Sequence, residues 1–152
     1  MSMTPEIYEV CILETMIDSM GHLNNATYLE LFEQARWQWC HDKGVGYDYV
    51  VRNQIGFAIL EVNLRFGKEL KARENVRIET KIIGFKKKIA VIEQVMLNES
   101  GDVCCSAVFT SGLFDLKKRK LVAPSSEWLK RLGVKDFYDT QMGARNEQSE
   151  NL

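Results

Sequence analysis

Apolar and polar residues alternate in five segments of the chain and follow a helical period in one. Residues 6–14 carry apolar side chains on both sides of the alternation, which predicts a first strand with both faces partly covered. Residues 26–41 contain no helix breaker, and their apolar positions recur with a helical period over more than one narrow stripe. The pattern therefore predicts one long helix that is buried around most of its circumference.

Beyond this helix the period of the pattern changes to two, which is the period of a strand. Turn residues between the alternating segments separate them into four strands. The predicted strands lie at residues 58–66, 76–82, 89–97 and 103–116. Gly112 in the last strand predicts a bulge or a close approach of another part of the chain.

The C-terminal part of the sequence predicts a short helix followed by a polar tail. Residues 124–132 have the pattern of a helix, with Ser125 or Ser126 as its N-cap. The residues after them are polar, and from Thr140 onward we expect the chain to fray. A length of 152 residues suits one hydrophobic core, so we predict a single domain over residues 1–138 and a tail over 139–152.

The order of one strand, one long helix and four further strands is typical of the α+β class. It predicts a five-stranded antiparallel sheet wrapped around one long central helix. Such a sheet leaves edges and an outer face exposed, and both favour association with a second copy. We therefore expect a homo-oligomer.

Composition and charge exclude several classes of function. The formal net charge of -1 lacks the basic excess of nucleic-acid-binding domains, so we expect no nucleic-acid partner. No apolar run reaches the roughly 18 residues of a membrane helix, and residues 1–6 lack the features of a signal peptide. We therefore expect a cytoplasmic protein with no membrane partner.

The cysteines show no spacing typical of a metal site or of a disulfide framework. Cys11, Cys40, Cys104 and Cys105 form no CxxC pair and no cluster with histidine. A reducing compartment keeps such residues as thiols. We expect no metal and no cofactor, and we assign the cysteines to core packing.

The segment of residues 18–28 carries the candidate chemistry. It places an acid, Asp18, and a loop containing Gly21 directly before the N-terminus of the predicted helix. Free backbone N–H groups and the positive end of the helix dipole can hold an anionic oxygen at such a place. This combination suits acyl transfer, in which an oxyanion develops.

The spacing of these residues resembles that of the 4-hydroxybenzoyl-CoA thioesterase family of hot-dog proteins. That family shares an Asp, a Gly three residues on, a Tyr seven residues beyond the glycine, and an acid and an Arg in the following helix. The matching residues in this chain are Asp18, Gly21, Tyr28, Glu33 and Arg36. The loop also resembles a subgroup with an Asp-x-x-Gly-His-x-Asn-Asn sequence, which is similar to bacterial and plant acyl-carrier-protein thioesterases.

The resemblance implies a hot-dog fold and an active site between two subunits of a homodimer or homotetramer. It implies hydrolysis of an acyl-CoA thioester, with Asp18 as nucleophile or general base and the backbone amide of Asn25 as oxyanion donor. The other residues that it implies at the substrate are Gly21, His22, Asn24, Tyr28 and Glu33. A thiol with a pKa near ~8.5 leaves as thiolate without a strong acid, so this small set of groups suffices.

Each of these residues also has a structural interpretation. Asp18 could cap a turn or the helix start, because Asp is a favoured cap residue. His22 either orients Asp18 or forms a structural hydrogen bond, and Asn24 shapes the turn through its side chain. Glu33 could be a second base, but we expect it to pair with Arg36 at three-residue spacing.

Cations and tryptophans supply further candidates for substrate contact. The basic segments 86–88 and 117–120 could attract the phosphates of coenzyme A, although solvated turns are the simpler interpretation. Trp37, Trp39 and Trp128 are expected to pack in the core, and Trp37 or Trp39 could line a pocket near the helix end.

Other functions fit parts of the same pattern. A hot-dog dehydratase would need a catalytic histidine paired with an acid, whereas the chain has only two histidines and His22 follows Asp18. A non-catalytic acyl-CoA sensor would keep the pocket and the oligomer without turnover. An acyl-carrier-protein thioesterase would share the loop, and aromatic, branched, short and long acyl groups all fit the sequence.

Overall fold

The structure, a computed structural model, describes residues 3–150 of the chain and the side chains of residues 3–143. Within these residues it contains six strands and four helices. In chain order they are β1 (Glu6–Cys11), α1 (Asn25–Asp42), α2 (Tyr47–Asn53), β2 (Ile55–Phe66), β3 (Asn75–Lys86), β4 (Ile89–Leu97), β5 (Val103–Asp115), β6 (Lys120–Val122), α3 (Ser126–Leu132) and α4 (Lys135–Glu150).

The strands form one antiparallel sheet with β1 and β2 at its two edges. The order across the sheet is β1-β3-β4-β5-β2, and the short strand β6 pairs with β5. The five long strands are therefore the five predicted ones, and β6 is an addition of three residues. Because β2 pairs only with β5 in the described part of the chain, its other side presents unpaired backbone groups.

Helix α1 packs across the inner face of this sheet. In β4, and in β3 as far as the register shift after Ile82, every second residue is buried, as expected for strands with one face against a core. From α1, Leu31 and Phe32 are fully buried, and the Phe32 ring meets the ring of Phe109 edge to face at 6.0 Å. Each such side chain contributes about 1.5–3 kcal/mol by leaving water.

A buried polar contact fixes α1 on the sheet. Gln94, which is fully buried in β4, donates from Nε2 to the carbonyl of Phe32 at 3.0 Å and to Oγ1 of Thr80 at 2.9 Å. Its Oε1 accepts from Nη1 of Arg36 at 2.9 Å. Because an unsatisfied buried amide is costly, this network specifies the position of the helix.

The predicted burial around most of α1 is wrong for the single chain. The buried residues form one stripe, whereas Leu29 is 40% exposed and Trp37 is 43% exposed. The physical reason is that one sheet covers only one side of a helix. The apolar residues outside the stripe face away from the chain's own core.

The ends of several elements differ from the predicted ones. Strand β1 stops at Cys11, because a 3-10 turn at Glu14–Met16 follows it. Helix α2 was not predicted, since its β-branched and aromatic residues have weak helix propensity. Helix α4 extends from Lys135 to Glu150, across the expected boundary at residue 139, where the sequence pattern predicted no helix.

Helix α4 has a packing reason to form. The Phe85 ring in β3 meets the ring of Phe137 at 5.9 Å and that of Tyr138 at 5.1 Å. The N–H of Phe85 also donates to Oε1 of Gln141 at 3.2 Å. Tertiary contact therefore holds the start of a helix that composition alone does not predict.

Two local predictions are confirmed. Ser125 is the N-cap of α3, and its Oγ accepts from the N–H of Trp128 at 3.1 Å. Gly112 is a site of close approach, since a Cβ atom there would lie 2.9 Å from both the Lys88 carbonyl and a Leu121 methyl group. No helix within the described residues combines the length and the apolar character that crossing a membrane requires.

Candidate active site

Asp18 lies in a tight loop between β1 and α1. Its N–H donates to the carbonyl of His22 at 3.1 Å, and its carbonyl accepts from the N–H of Gly21 at 3.0 Å. The carboxylate Oδ1 accepts from the N–H of Met20 at 2.9 Å. Gly21 has a φ of +82°, a conformation in which a side chain would be strained. The loop orients the carboxylate, and the Asp18 side chain remains 23% exposed to water.

Two backbone hydrogen bonds hold the end of this loop against the chain. The N–H of Leu23 donates to the carbonyl of Leu70 at 2.7 Å, and the N–H of Asn24 donates to the carbonyl of Met16 at 3.0 Å. The Leu23 side chain is buried in the core. The loop is therefore fixed relative to the first turn of α1.

Helix α1 begins with one backbone donor free. Asn24 is the N-cap, and its Oδ1 accepts from the N–H of Ala26 at 2.9 Å. The N–H of Thr27 donates to the carbonyl of Asn24 at 3.0 Å. Among the described residues, no backbone or side-chain acceptor bonds the N–H of Asn25. A free donor at the positive end of a helix is suited to an anionic oxygen.

Tyr28 links the start of α1 to the end of β2. Its ring meets the ring of Phe66 edge to face, with centroids 5.2 Å apart. Burial raises the pKa of Tyr28 to about 12, and nearby acidic groups, Asp18 among them, add to the effect. The hydroxyl is therefore protonated at neutral pH, so it can donate a hydrogen bond but does not serve as a base.

His22 is close to Asp18 without a hydrogen bond between the side chains. Its Nδ1 lies 3.9 Å from Oδ1 of Asp18, which is longer than hydrogen-bond distance. The same atom lies 3.4 Å from the carbonyl oxygen of Leu23. In this arrangement His22 affects Asp18 through charge, and only when the imidazole is protonated.

Glu33 and Arg36 do not form the predicted ion pair. Among the described residues the ion pairs within 4.0 Å do not include these two, and Glu33 is exposed. Arg36 instead donates to Gln94 and lies over the ring of Phe109, 4.4 Å from its centroid. Burial lowers the pKa of Arg36, and the charge of Glu33 opposes that shift from a longer distance. The side-chain amide of Gln94 in β4 is thus the better partner for Arg36, because it lies on the buried side of α1.

A cavity of about 220 Å³ lies farther along α1, between that helix, α2, β2 and α3. Its walls are mainly aromatic and aliphatic, with two charged side chains at the end that is nearer the start of α1. The lining residues are Glu33, Arg36, Trp37, Cys40, Val45, Val50, Gly56, Phe57, Ile59 and Trp128. A wider groove of about 650 Å³ runs past Glu9, Arg77 and Glu99, but it is open and polar and no residue of the Asp18 loop lines it.

The two basic segments lie side by side at one end of the sheet. Lys86 ends β3 and residues 87–88 form the turn to β4, while residues 117–119 connect β5 to Lys120 at the start of β6. Gly112 is adjacent to both, because a Cβ atom there would touch the Lys88 carbonyl and Leu121. None of these seven exposed cations forms an ion pair within 4.0 Å with a side chain that the structure describes.

The Asp18 loop and the cavity lie at opposite ends of β2. Phe66, which contacts Tyr28, is the last residue of the strand, whereas Gly56 and Phe57 line the cavity at its start. A strand rises ~3.3 Å per residue, so about 30 Å of strand separates Phe57 from Phe66. The basic segments lie at the cavity end, because Ile55 pairs with Asp115 beside them.

Residues 13–132 match the thioesterase-like superfamily. The match spans the Asp18 loop, α1 and four of the five long strands, β2 to β5, whereas β1 precedes it. The chain therefore belongs to this superfamily, and the family resemblance predicted from the sequence is confirmed.

Two curated proteins are similar to this chain. The long-chain acyl-CoA thioesterase FadM of Escherichia coli strain K12 is 26% identical over 117 residues, which are 76% of this chain and 88% of that protein. The L-carnitine dehydrogenase/betainyl-CoA thioesterase of Agrobacterium fabrum is 23% identical over 117 residues, which are 77% of this chain and 24% of that protein.

Solved structures share the fold. The YbaW probable thioesterase of Escherichia coli has a TM-score of 0.74 and 24% identity, over 83% of this chain and 95% of that one. A hypothetical protein from Staphylococcus aureus in complex with CoA has a TM-score of 0.81 and 13% identity, over 91% of this chain and 88% of that one. These likenesses confirm the predicted hot-dog fold.

The structure brings together most of the residues that the sequence singled out. Asp18, Gly21, His22, Asn24, Asn25 and Tyr28 all lie in the loop or the first turn of α1. Glu33 lies about 12 Å farther along the helix, at 1.5 Å per residue. Trp37 and Trp128 line the cavity, while Trp39 is in the core. Sequence reasoning missed Gly56, because it lies next to α2, a helix that the sequence pattern did not indicate.

Proposed function

We propose that this protein hydrolyses an acyl-CoA thioester to a free acid and coenzyme A. In the proposal Asp18 is the nucleophile or general base, and the backbone N–H of Asn25 is the oxyanion donor. The free N–H of Asn25, next to a loop that orients a carboxylate, is the observation that carries the proposal. The names of the relatives, which include long-chain acyl-CoA and DHNA-CoA thioesterases, support the same reaction class.

The chemistry needs few groups. The thioester carbonyl carbon is attacked either by the Asp18 carboxylate or by a water molecule that Asp18 deprotonates. Negative charge develops on the carbonyl oxygen, where the Asn25 N–H and the helix dipole stabilise it. The C–S bond then breaks and coenzyme A leaves as thiolate, whose conjugate acid has a pKa near ~8.5. On the nucleophilic route, water afterwards hydrolyses the acyl-aspartyl anhydride.

The neighbouring residues have supporting roles in this proposal. Gly21 gives the loop its left-handed turn, and Asn24 holds the first turn of α1 through Ala26. The imidazole of His22 and the hydroxyl of Tyr28 are donors toward the thioester. Glu33 lines the cavity, and in this proposal it contacts the substrate between the reacting carbonyl and the far end of the acyl group.

The working form in this proposal is a homodimer built on β2. The unpaired edge of β2 carries exposed apolar side chains at Ile59, Leu60, Val62 and Phe66, which is costly in an isolated chain. A second copy that pairs antiparallel through a two-fold axis covers this edge in both chains. It also brings the start of one β2 to the end of the other. The Asp18 loop of one chain then faces the cavity and the cations of its partner.

A homotetramer is the proposed final state. The outer face of the sheet keeps Ile83, Val103 and Val108 exposed beside the Lys81–Glu93 ion pair, whose closest atoms are 3.7 Å apart. Two dimers that stack through this face would cover these side chains. The polar neighbours make this contact the weaker of the two, so the dimer is the minimum unit.

The carrier in this proposal is coenzyme A in the cytoplasm. The seven adjacent cations offer a site for its phosphates, since clustered positive charge attracts phosphate groups. An acidic acyl carrier protein is the alternative occupant of the same surface. All four cysteines are free thiols, which agrees with a reducing compartment.

A thiol-release assay over a panel of acyl-CoA thioesters tests the proposal. Wild type should release thiol from at least one of them, and Asp18→Asn should release it roughly 10²-fold more slowly or slower still. A wild-type protein that binds acyl-CoA tightly but releases no thiol would support the non-catalytic sensor instead. Thiol release from acyl carrier protein thioesters, without release from acyl-CoA thioesters, would identify acyl carrier protein instead of coenzyme A as the carrier.

A single turnover in ¹⁸O-labelled water tests the nucleophilic route for Asp18. With enzyme in excess, an acyl-aspartyl anhydride that water opens at the aspartyl carbonyl leaves an unlabelled enzyme oxygen in the acid product. General-base catalysis, like opening of the anhydride at the acyl carbonyl, places a labelled solvent oxygen there. An unlabelled acid, detected by mass spectrometry, would therefore establish attack by the carboxylate.

A further inference from the structure

The cavity has a polar end and an apolar end. Glu33 and Arg36 line it on the side nearer the start of α1, whereas Cys40, Val45 and Trp128 line it beyond them. Glu33 is exposed, and the Arg36 guanidinium is already held by Gln94 and the ring of Phe109. Apart from Glu33 and Arg36, the side chains that line the cavity are mainly apolar.

The volume of the cavity limits that occupant. An apolar protein cavity of about 150 Å³ accommodates benzene, and sites for drug-sized ligands have volumes of about 300–1,000 Å³. The value of about 220 Å³ lies between these cases. The space suits a group somewhat larger than one aromatic ring and is too small for a long alkyl chain.

The walls of the cavity are well supported on the sheet side. The ring of Phe57 meets the ring of Trp128 edge to face at 5.1 Å, and Trp128 is buried. At Gly56 a Cβ atom would lie 3.1 Å from a methyl group of Val50, so α2 packs directly on the start of β2. On the side of α1, Trp37 and Cys40 lie three residues apart on one face. Both side chains line the cavity.

We propose that this cavity is the acyl pocket and that it selects a medium-sized apolar acyl group, with Cys40 and Trp37 as the residues that determine chain length. The inference rests on the proposed thioesterase function and deepens it by naming the substrate class. In the β2-paired dimer the pocket serves the Asp18 loop of the partner chain. The preference differs from that in the name of the long-chain relative, FadM.

The first test is the chain-length profile of kcat/KM for straight-chain acyl-CoA thioesters from C4 to C16. Each methylene that enters the cavity should raise kcat/KM about fourfold until the space is full. We expect a maximum near C8 and a value for C16 at least tenfold lower. A profile that rises continuously to C16 would overturn the size limit.

Two variants change the depth in opposite directions. Cys40→Phe should lower the C8-to-C4 ratio of kcat/KM at least tenfold, whereas Trp37→Ala should move the maximum to longer chains. Ile83→Ala, an exposed apolar residue on the outer face of the sheet, is the control and should leave the profile unchanged. Thermal melts check that each variant folds. If Cys40→Phe does not fold, Trp37→Ala alone tests the assignment. Two folded variants with the wild-type profile would refute the assignment.

Binding of S-alkyl-CoA thioethers, which cannot be hydrolysed, separates this inference from the proposed function. Affinity that grows with alkyl length to about C8 and falls in Cys40→Phe supports the pocket even if wild type shows no turnover. Turnover of acyl-CoA thioesters, with no dependence on chain length in either kcat/KM or binding affinity, would support the thioesterase function and reject the acyl pocket.

Mixed dimers test whether the pocket serves the partner's Asp18. Asp18→Asn and Cys40→Phe chains are each expected to be poorly active on octanoyl-CoA. Together they form dimers in which one site combines an intact Asp18 with an intact cavity. Co-expression should therefore restore at least a tenth of the wild-type rate. Failure to restore any activity in verified mixed dimers would place cavity and carboxylate in one chain and contradict the arrangement.

Discussion

The carboxylate Oδ1 of Asp18 accepts a hydrogen bond of 2.9 Å from the backbone N–H of Met20. The same contact would exist if Asp18 served only to hold the turn. The amide oxygen of an asparagine can accept this hydrogen bond equally well, but the amide has neither the charge nor the basicity of a carboxylate. Asparagine at position 18 therefore separates the catalytic role from the structural one.

For Asp18→Asn we expect a loss of turnover of roughly 10²-fold or more, the lower range for a positioned base, with an unchanged thermal melt. The measurement is kcat for the best panel substrate together with differential scanning calorimetry. Asp18→Ala, which also loses the bond to Met20, is the comparison and should be less stable. A normal kcat in Asp18→Asn would mean that Asp18 only stabilises the turn.

Asn24 should matter for stability through the start of α1. Asn24→Ala removes the acceptor for the N–H of Ala26 and should lower the free energy of unfolding by about 1 kcal/mol. Asn24→Ser and Asn24→Asp keep a cap acceptor and should lose little. Chemical denaturation of the three variants measures the difference. Equal losses in all three would mean that the cap contributes nothing.

The β2 edge should control assembly. The side chains of Val62 and Val108 are both 38% exposed. Val62 lies on β2, an edge strand, whereas Val108 lies on β5, which pairs with a strand on each side. Val62→Glu should yield a monomer with at least tenfold lower activity, because it places a charge in the proposed interface. Val108→Glu is the matched control and should remain at least dimeric. Light scattering gives the mass, and a fully active Val62→Glu monomer would refute the shared site.

Arg36 and Glu33 should differ in their effect on stability. Arg36→Met leaves the buried Oε1 of Gln94 without its donor, so the free energy of unfolding should fall by about 1–3 kcal/mol. Glu33→Gln removes an exposed carboxylate and should change it by less than about 0.5 kcal/mol. Urea unfolding of both variants checks this. A large loss in Glu33→Gln would restore the ion pair predicted from the sequence.

Alkaline pH should destabilise the protein through its buried thiols. Burial raises the pKa of Cys40 and of Cys105 from 9.0 to about 12. The unfolded chain therefore releases these protons at a lower pH than the folded chain does. Their contribution is fully present below pH 9.0 and is lost as pH rises toward 12.

The melting temperature should accordingly show no loss from these thiols below about pH 9.0 and should decline above it. Cys105→Ala removes one of the two groups and should make the decline shallower, whereas Cys11→Ala, at a partly exposed position, is the control. A decline of the same steepness in Cys105→Ala would assign the alkaline loss to other groups, such as Tyr28.

The alternation of apolar and polar residues determined the strands of this protein, and a segment without helix breakers determined α1. Both signals are local in the sequence. The loop was predictable for the same reason. Asp18 and Gly21 form hydrogen bonds to residues within four positions, and Asn24 caps Ala26 two residues on, so these contacts are contained in a short stretch of sequence.

Only the tertiary structure decided where the long-range contacts lie. Arg36 binds Gln94, which is 58 residues away, instead of its helix neighbour Glu33. The cavity is assembled from α1, α2, β2 and α3, and no spacing in the sequence links Cys40 to Phe57 and Trp128. The packing of distant elements sets the volume available to an acyl group, so that volume emerges only when the sheet has closed over the helix.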